Sequence, residues 1–534
     1  MSYGFIIWFV CITVVQCLYE EILNREIIWP KPKSSRYGTD DVTVTKGHLK
    51  INLDGVEDCP RLIEAKKNYE NDWFFPKELA DSSSPGQLTE LKLIKSDDFQ
   101  CPQGYSYPKI TKDESYQLTV NGTNAILSSG SVWGFLRGVE SFSQLITYKR
   151  PRSLTEPVIF TIRSTAIEDE PAYPVRGLML DTGRHFLPVD VILRQIDVMS
   201  QSKFNLFHWH IADSESFPYQ SLQYPNLPLY GAYGPKAIYT KQDMKRIITY
   251  ANIRGIRVVP EFDTPGHMGS WRGQPGLLAV CSVKSNILDP SKEENYRFLK
   301  GFFKEVIQLF PDEYLHLGGD EVSSYAQCWE KNVNIQKWAK DNNLLTTKDI
   351  ERYYLQRLLG IINDISTELN IKRTVLVWEE AVFMFKTKLP NVIAVPWYHY
   401  ASMKTTTQLG YQSINAACYY INYVTRPGAD WRQTGKGPEY GNFYNCHPAD
   451  YVFPGTEALN LGGIAAMWGE YEDKNNLESD LWPRAATVAE KLWSPYNKTL
   501  DATKAIPRLH RFRCRLNWRG YRASPTDGPD YCSF

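Results

Sequence analysis

Asp320 and Glu321 are the residues best placed to do chemistry, two adjacent carboxylates at the end of the short apolar run Tyr314-Leu315-His316-Leu317. Neighbouring side chains of a strand point to opposite faces, so both can serve one site only where the strand ends and the backbone turns. Gly318 and Gly319 permit that turn. Two like charges held so close repel, which keeps one carboxyl protonated while the other stays ionised. The result is an acid beside a charged partner. The competing reading of an Asp-Glu at a strand end is a cap on the helix that follows.

Trp378, Trp397 and Trp468 each close a predicted strand, and together they suggest an aromatic box around an apolar ring face. Arg176 can donate a fork of hydrogen bonds to vicinal hydroxyls, or belong to a structural ion pair. Asp213 and Glu470 can accept from sugar hydroxyls, or cap helices. In Glu261-Phe262-Asp263-Thr264-Pro265-Gly266-His267 the Pro-Gly turn aims His267 toward the same region. His208-Trp209-His210 opens a rival, because an HxH pair completed by His267 and Asp263 matches the ligand number of a catalytic zinc. Period-two geometry puts His208 and His210 on one face and Trp209 on the other, and the pair reads equally as core histidines bonded to strand-end carboxylates.

These residues need elements that deliver them to one place. Eight apolar runs alternate with helical stretches: Arg176 to Asp181, Phe204 to Ile211, Ile256 to Glu261, Tyr314 to Leu317, Thr374 to Trp378, Val392 to Trp397, Ser413 to Cys418 and Gly463 to Trp468. That alternation predicts an α/β protein, a (β/α)8 TIM barrel, with a doubly wound sheet as the alternative. The polar ends, at Asp181, Asp213, Asp263, Glu321, Glu379, Trp397, Tyr420 and Glu470, favour the barrel, whose sites assemble at the C-terminal mouth. Residues 18–170 read as a smaller α+β domain, with alternating runs at Val42 to Thr45 and Tyr116 to Val120 and a helix from Ser131 to Phe142. Residues 171–534 hold the barrel, a last helix from Ala502 to Leu516 and a tail, with the boundary in the proline-punctuated Glu168 to Pro174.

The 534 residues carry 60 basic and 60 acidic side chains, a balance that argues against nucleic acid as the main partner. Residues 4–17 are apolar, too short to span a bilayer and followed at once by Glu20 and Glu21, so 1–17 reads as a signal peptide. Cleavage leaves eight cysteines and no membrane span, in a compartment that favours disulfides. Asn121 and Asn497 head glycosylation sequons.

Val132-Trp133-Gly134-Phe135-Leu136-Arg137-Gly138, Arg176 to Asp181, Phe207 to His210, Glu261 to His267, His316 to Val322, Met467 to Tyr471 and Leu481 to Ala485 are ordered motifs spread over the chain. With them the sequence resembles the β-N-acetylhexosaminidases of glycoside hydrolase family 20, the lysosomal type in particular. The resemblance implies an exo-hydrolase that removes terminal β-linked GlcNAc or GalNAc, a glycan partner, no cofactor, a secreted or lysosomal location and a homodimer. It gives Glu321 the role of general acid/base, Asp320 the substrate's acetamido group, and Tyr420 the acetamido carbonyl. Arg176, Asp213 and Glu470 would hold sugar hydroxyls, Trp378, Trp397 and Trp468 form the box, and His267 and Asp263 surround the acid.

The chain departs from the family pattern at Cys418, where a proline is usual, and at Ser214, where a second Asp is common. Asn422 is followed by Tyr423 where α-type relatives have Asn-Arg, which implies a weaker preference for 6-sulfated GlcNAc unless Arg426 substitutes. Order and motif neighbourhood pair Cys59 with Cys101, Cys281 with Cys328 and Cys514 with Cys532, leaving Cys418 and Cys446. The rivals are a catalytically silent sugar-binding protein, disfavoured by the presence of Asp320, Glu321 and Tyr420, and a zinc amidohydrolase.

Overall fold

The computed structural model describes residues 26–109, 113–149, 158–281, 285–423, 443–526 and 532; the signal segment read at 1–17 lies outside them. The first unit is a mixed sheet of β1 (Ser34–Val44), β2 (Lys50–Asn52), β3 (Glu90–Lys95), β4 (Tyr116–Asn121), β5 (Asn124–Ser129), β6 (Thr147–Lys149) and β7 (Ile159–Asp169). The strands run in the order β1-β7-β4-β5-β3-β2, with β6 beside β7. Along β4 buried and exposed residues alternate strictly, as a sheet with one covered face requires. The cover includes the helix Val132–Leu145, whose N-cap Ser131 accepts from the Gly134 amide. A Cβ on Gly134 would lie 2.1 Å from the Ser115 carbonyl oxygen, and one on Gly138 would lie 2.3 Å from Leu127. The two glycines are what let this helix lie flat on the strands.

The second unit is the expected barrel. Its strands are β8 (Val175–Asp181), β9 (Leu206–Ala212), β10 (Arg257–Phe262), β11 (Tyr314–His316), β12 (Thr374–Trp378), β13 (Val392–Val395), β14 (Ser413–Asn415) and β15 (Asn460–Met467). They close in sequence order, with β15 pairing β8 and every pairing parallel. Several boundaries differ from the sequence reading, and three of the shifts have a local cause. β13 stops at Val395, because Pro396 cannot donate to the ladder. β14 stops at Asn415, and the chain loops before Tyr420 returns to bridge Ala466. β15 begins three residues before Gly463, because Gly462, at φ 122°, lets the strand pass within reach of Val175.

The barrel interior is packed by Met179, Val259, Leu376, Ile393, Ile414, Ile464 and Ala466, topped by Trp378, Tyr420 and Trp468. The C-terminal helix, Ala502–Trp518, joins the two units: Arg515 donates to the Ile146 carbonyl and Arg519 pairs with Glu140 at 3.0 Å. All four disulfides, Cys59–Cys101, Cys281–Cys328, Cys418–Cys446 and Cys514–Cys532, are formed. Cys418–Cys446 spans 28 residues, and chain entropy gives such a crosslink about 3–4 kcal/mol. Replacing both cysteines by serine is expected to lower Tm accordingly, and non-reducing peptide mapping checks the pairing. Asn121 and Asn497 are both exposed. No described helix is long and apolar enough to cross a membrane.

Candidate active site

The turn after β11 is built around a contact that only glycine permits. A Cβ on Gly318, at φ 71°, would lie 1.7 Å from Asp263 Oδ1, while the Gly319 amide donates to that same oxygen at 2.8 Å. The turn carries Asp320 and Glu321 onto the mouth. Glu321 sits in the left-handed region at φ 50°, a strained conformation of order 1–3 kcal/mol for a residue with a side chain. It occupies the N-cap position of the short helix Val322–Tyr325, yet its side chain makes no capping bond. The cap reading of the carboxylate pair is therefore set aside.

What faces the pair is His267, also left-handed at φ 55°. Its Nε2 lies 3.4 Å from Glu321 Oε2 and 3.8 Å from Asp320 Oδ2, while Nδ1 donates to Asp213 Oδ1 at 3.2 Å. Burial alone would lower the imidazole, but Asp213 and Asp320 outweigh it and hold His267 well above its ordinary range. The hydrogen bond from His267 in turn lowers Glu321. Asp213 is buried, which opposes its charge, but His267, His210 and Arg184 keep it far below the usual carboxylate range. Asp263, buried beneath Asp320, goes the other way: desolvation and the Asp320 charge push it well up, so it holds a proton under the pair.

His208 and His210 share a face as expected, and both are tied to carboxylates. His208 Nε2 and His210 Nδ1 donate to Glu261 Oε2 at 2.8 and 2.7 Å, and His210 Nε2 donates to Asp213 at 2.9 Å. The Trp378 indole donates to the other Glu261 oxygen at 2.8 Å, and His316 Nδ1 lies 3.1 Å from it. Glu261 is thus a buried hub that fixes the base of the box. Both His210 nitrogens are committed, so the zinc reading finds that ligand already engaged.

The box is assembled. Trp378 and Trp468 lie 6.0 Å apart between ring centres, Tyr420 lies 6.2 Å from Trp468, and Trp397 stacks on Tyr420 at 6.2 Å and 26°. Asn422 follows in the turn Ile421–Tyr423, with its Oδ1 buried and unpartnered among the described residues. Arg426, named as a substitute cation, lies outside the described residues.

Arg176 requires correction. It is the second residue of β8, at the end of the barrel opposite the mouth, fully buried with Nη2 2.6 Å from both oxygens of Glu114 in the first unit. A strand rises about 3.3 Å per residue, so the five residues to Asp181 separate it from the mouth by about 16 Å. The arginine at the mouth is Arg184. It lies 3.1 Å from Asp181, 2.8 Å from Asp213 and over the Trp468 ring at 4.9 Å, and it is drawn further by Glu470. Asp181 places it by accepting from the Gly183 and Arg184 amides, and holds the Glu470 turn by accepting from Gly469. The signal for Arg184 was present: it stands three residues past the strand end, on the side where barrel sites are built. Arg184→Ala is expected to lower kcat/KM about 100-fold, chiefly through KM if Arg184 binds hydroxyls uniformly. Glu114→Gln should instead lose roughly 3–5 kcal/mol of stability with KM unchanged, because it strands a buried guanidinium. Kinetics and thermal unfolding of the two variants separate the roles.

The catalytic domain of glycosyl hydrolase family 20 matches residues 173–496, and a beta-acetyl hexosaminidase like domain matches residues 28–145. The chain belongs to glycosyl hydrolase family 20. Beta-hexosaminidase A of Caenorhabditis elegans is 41% identical over 527 residues, covering 95% of this chain and 92% of its own length. The beta-hexosaminidase beta subunit of Homo sapiens is 40% identical over 486 residues, 88% of this chain and 82% of its own length. Among solved structures, the chitobiase of Flavobacterium johnsoniae is 27% identical with a TM-score of 0.75, covering 94% of this chain and 73% of that one. The family 20 chain is therefore a glycoside hydrolase, and the mouth that gathers Asp320, Glu321, His267, Arg184 and the box is its candidate active site.

Proposed function

We propose that this family 20 enzyme is an exo-β-N-acetylhexosaminidase that removes terminal non-reducing β-linked GlcNAc or GalNAc from glycoconjugates or chito-oligosaccharides, with retention and with the substrate's own acetamido group as nucleophile. The observation that carries the reading is the split role available to the carboxylate pair. Glu321 is half exposed toward the mouth beside His267, whereas Asp320 is buried, with Oδ1 unpartnered among the described residues and with its charge felt by Glu380, which is bonded to Trp397 of the box.

In this reading Glu321 protonates the glycosidic oxygen as the C1–O bond breaks. The acetamido oxygen attacks C1 from the opposite face, and Asp320 offsets the positive charge that grows on the ring containing the acetamido nitrogen. Water then adds to C1 as the bond from C1 to the acetamido oxygen breaks, giving its proton to Glu321, and the sugar is released with its original anomeric configuration. Tyr420 and the tryptophans hold the acetamido group in attack geometry. His267, with Nε2 3.4 Å from Oε2, keeps Glu321 low. A sugar that covers Glu321 removes its water and favours the protonated form, the form that can give its proton to the glycosidic oxygen. Asp213, Arg184 and Glu470 frame the hydroxyl end of the ring.

The disulfides and sequons fit passage through the secretory pathway, with a lysosomal or extracellular destination. A homodimer is the assembly proposed, to be tested by light scattering. Mechanism is tested with substrates whose N-acetyl group carries none to three fluorines: the rate should fall with each fluorine, and a rate indifferent to fluorine overturns the acetamido as nucleophile. A β-glucoside should not be turned over.

A further inference from the structure

We infer that Glu380 is a positioning residue of this site, holding the Trp397 indole against Tyr420 and so fixing one wall of the pocket for the substrate's N-acyl group. The inference rests on the reading that the box receives an acetamido group.

Trp397 stands farther past its strand than the other two tryptophans of the box: Trp378 ends β12 and Trp468 directly follows β15. β13 ends at Val395, Pro396 interrupts the ladder, and Trp397 is half-buried beside the exposed Tyr398. Stacking on Tyr420 alone leaves the ring free to slide, since stacked aromatics tolerate a range of offsets. Two hydrogen bonds remove that freedom, and both come from the pair that follows β12. The Trp397 backbone amide donates to Glu379 Oε2 at 2.8 Å, and its indole Nε1 donates to Glu380 Oε2 at 2.8 Å. Glu379 is completed by Ser402, whose hydroxyl donates to Oε1 at 2.7 Å. The main chain and the ring of Trp397 are thus clamped separately, and only the Glu380 bond sets the ring's orientation.

Glu380 also faces Asp320, which fixes the form in which it works. Burial first and then the Asp320 charge push its carboxyl up to about 8, with Glu379 adding in the same direction and the Trp397 indole and its own backbone amide opposing. Below that pH it accepts from the indole without placing a second negative charge beside Asp320. Above it, Glu380 and Asp320 repel across the wall they share, and the indole moves with the side chain that holds it.

The test compares Glu380→Gln, which keeps an acceptor oxygen and cannot ionise, with Glu380→Leu, which keeps the volume and loses the acceptor. Each is assayed on aryl β-glycosides bearing N-acetyl or N-propionyl groups. Gln is expected within about threefold of the parent in kcat. Leu is expected to lose 10- to 100-fold in kcat with a small change in KM, and to reduce the preference for acetyl over propionyl about tenfold, which a purely structural role would not move. Binding of free GlcNAc, followed by tryptophan fluorescence, should weaken in the parent as pH rises through about 8 and lack that inflection in the Gln variant. If Leu fails to fold, Trp397→Phe removes the same bond from the other side and should show the same loss of acyl preference. Parental acyl preference in Leu, or in Trp397→Phe, overturns the inference, as does a Gln variant as impaired as Leu. A parent enzyme without fluorine dependence would sink the acetamido mechanism and leave the acyl-preference result standing on its own.

Discussion

Glu321→Gln should abolish turnover of substrates with a sugar or alkyl leaving group, by about 10⁴-fold in kcat, while KM for the same substrates changes only a few-fold. The amide fills the same volume in the same left-handed turn and can still meet His267, so the fold and the box are undisturbed. It has no proton to give. General acid catalysis contributes about 10²–10⁴-fold, and the share is largest when the departing oxygen is most basic. A dinitrophenyl leaving group needs little protonation, so its cleavage should fall far less, leaving hydrolysis of the proposed bicyclic intermediate as the slow step. Equal losses on both substrates would show that Glu321 acts by charge or position rather than by proton transfer.

The second large effect is expected at Asp320. Asp320→Asn preserves the shape and one hydrogen-bond acceptor but removes the charge that, in the proposed mechanism, faces the acetamido nitrogen in the transition state. Losing one preorganised electrostatic partner in a water-poor site lowers kcat about 10²–10³-fold. KM should stay near the parent value, because in the proposed mechanism the charge it opposes develops only as the carbonyl attacks. The substitution also alters the proton beneath it: Asp263 is held up partly by Asp320, so it should ionise at lower pH in the variant. A rise in KM with unchanged kcat would mean that Asp320 binds the ground state alone.

Much of this architecture is legible in the sequence. Strands buried on both sides are nearly continuous apolar runs, and most of β8 to β15 show that pattern, the short β14, Ser-Ile-Asn, excepted, so their number and order followed. The adjacent carboxylates followed from the glycines before them, whose second requirement, contact with Asp263, lies 55 and 56 residues away in sequence and is invisible to local reasoning. The arginine was misread because Arg176 stands inside a motif and is charged within a strand, which suggests function; its partner Glu114 lies 62 residues earlier. Glu380 escaped because two acids after a strand look like the favourable first turn of a helix, and they do begin Glu379–Phe383. Nothing short of the fold shows that one of them reaches an indole 17 residues on.

The buried ion cluster of Glu114 with Arg137 and Arg176 makes the two units inseparable in a way their separate sheets do not suggest. A fragment that begins at β8 would open that end of the barrel to water and leave the Arg176 guanidinium without its counter-ion. A chimera that grafts a foreign first unit onto this barrel inherits the same vacancy unless it brings a carboxylate to the Glu114 position. The smaller unit therefore acts as a plug that neutralises the closed end of the barrel, and recombination within the family is expected to succeed only when plug and socket are exchanged as a matched pair.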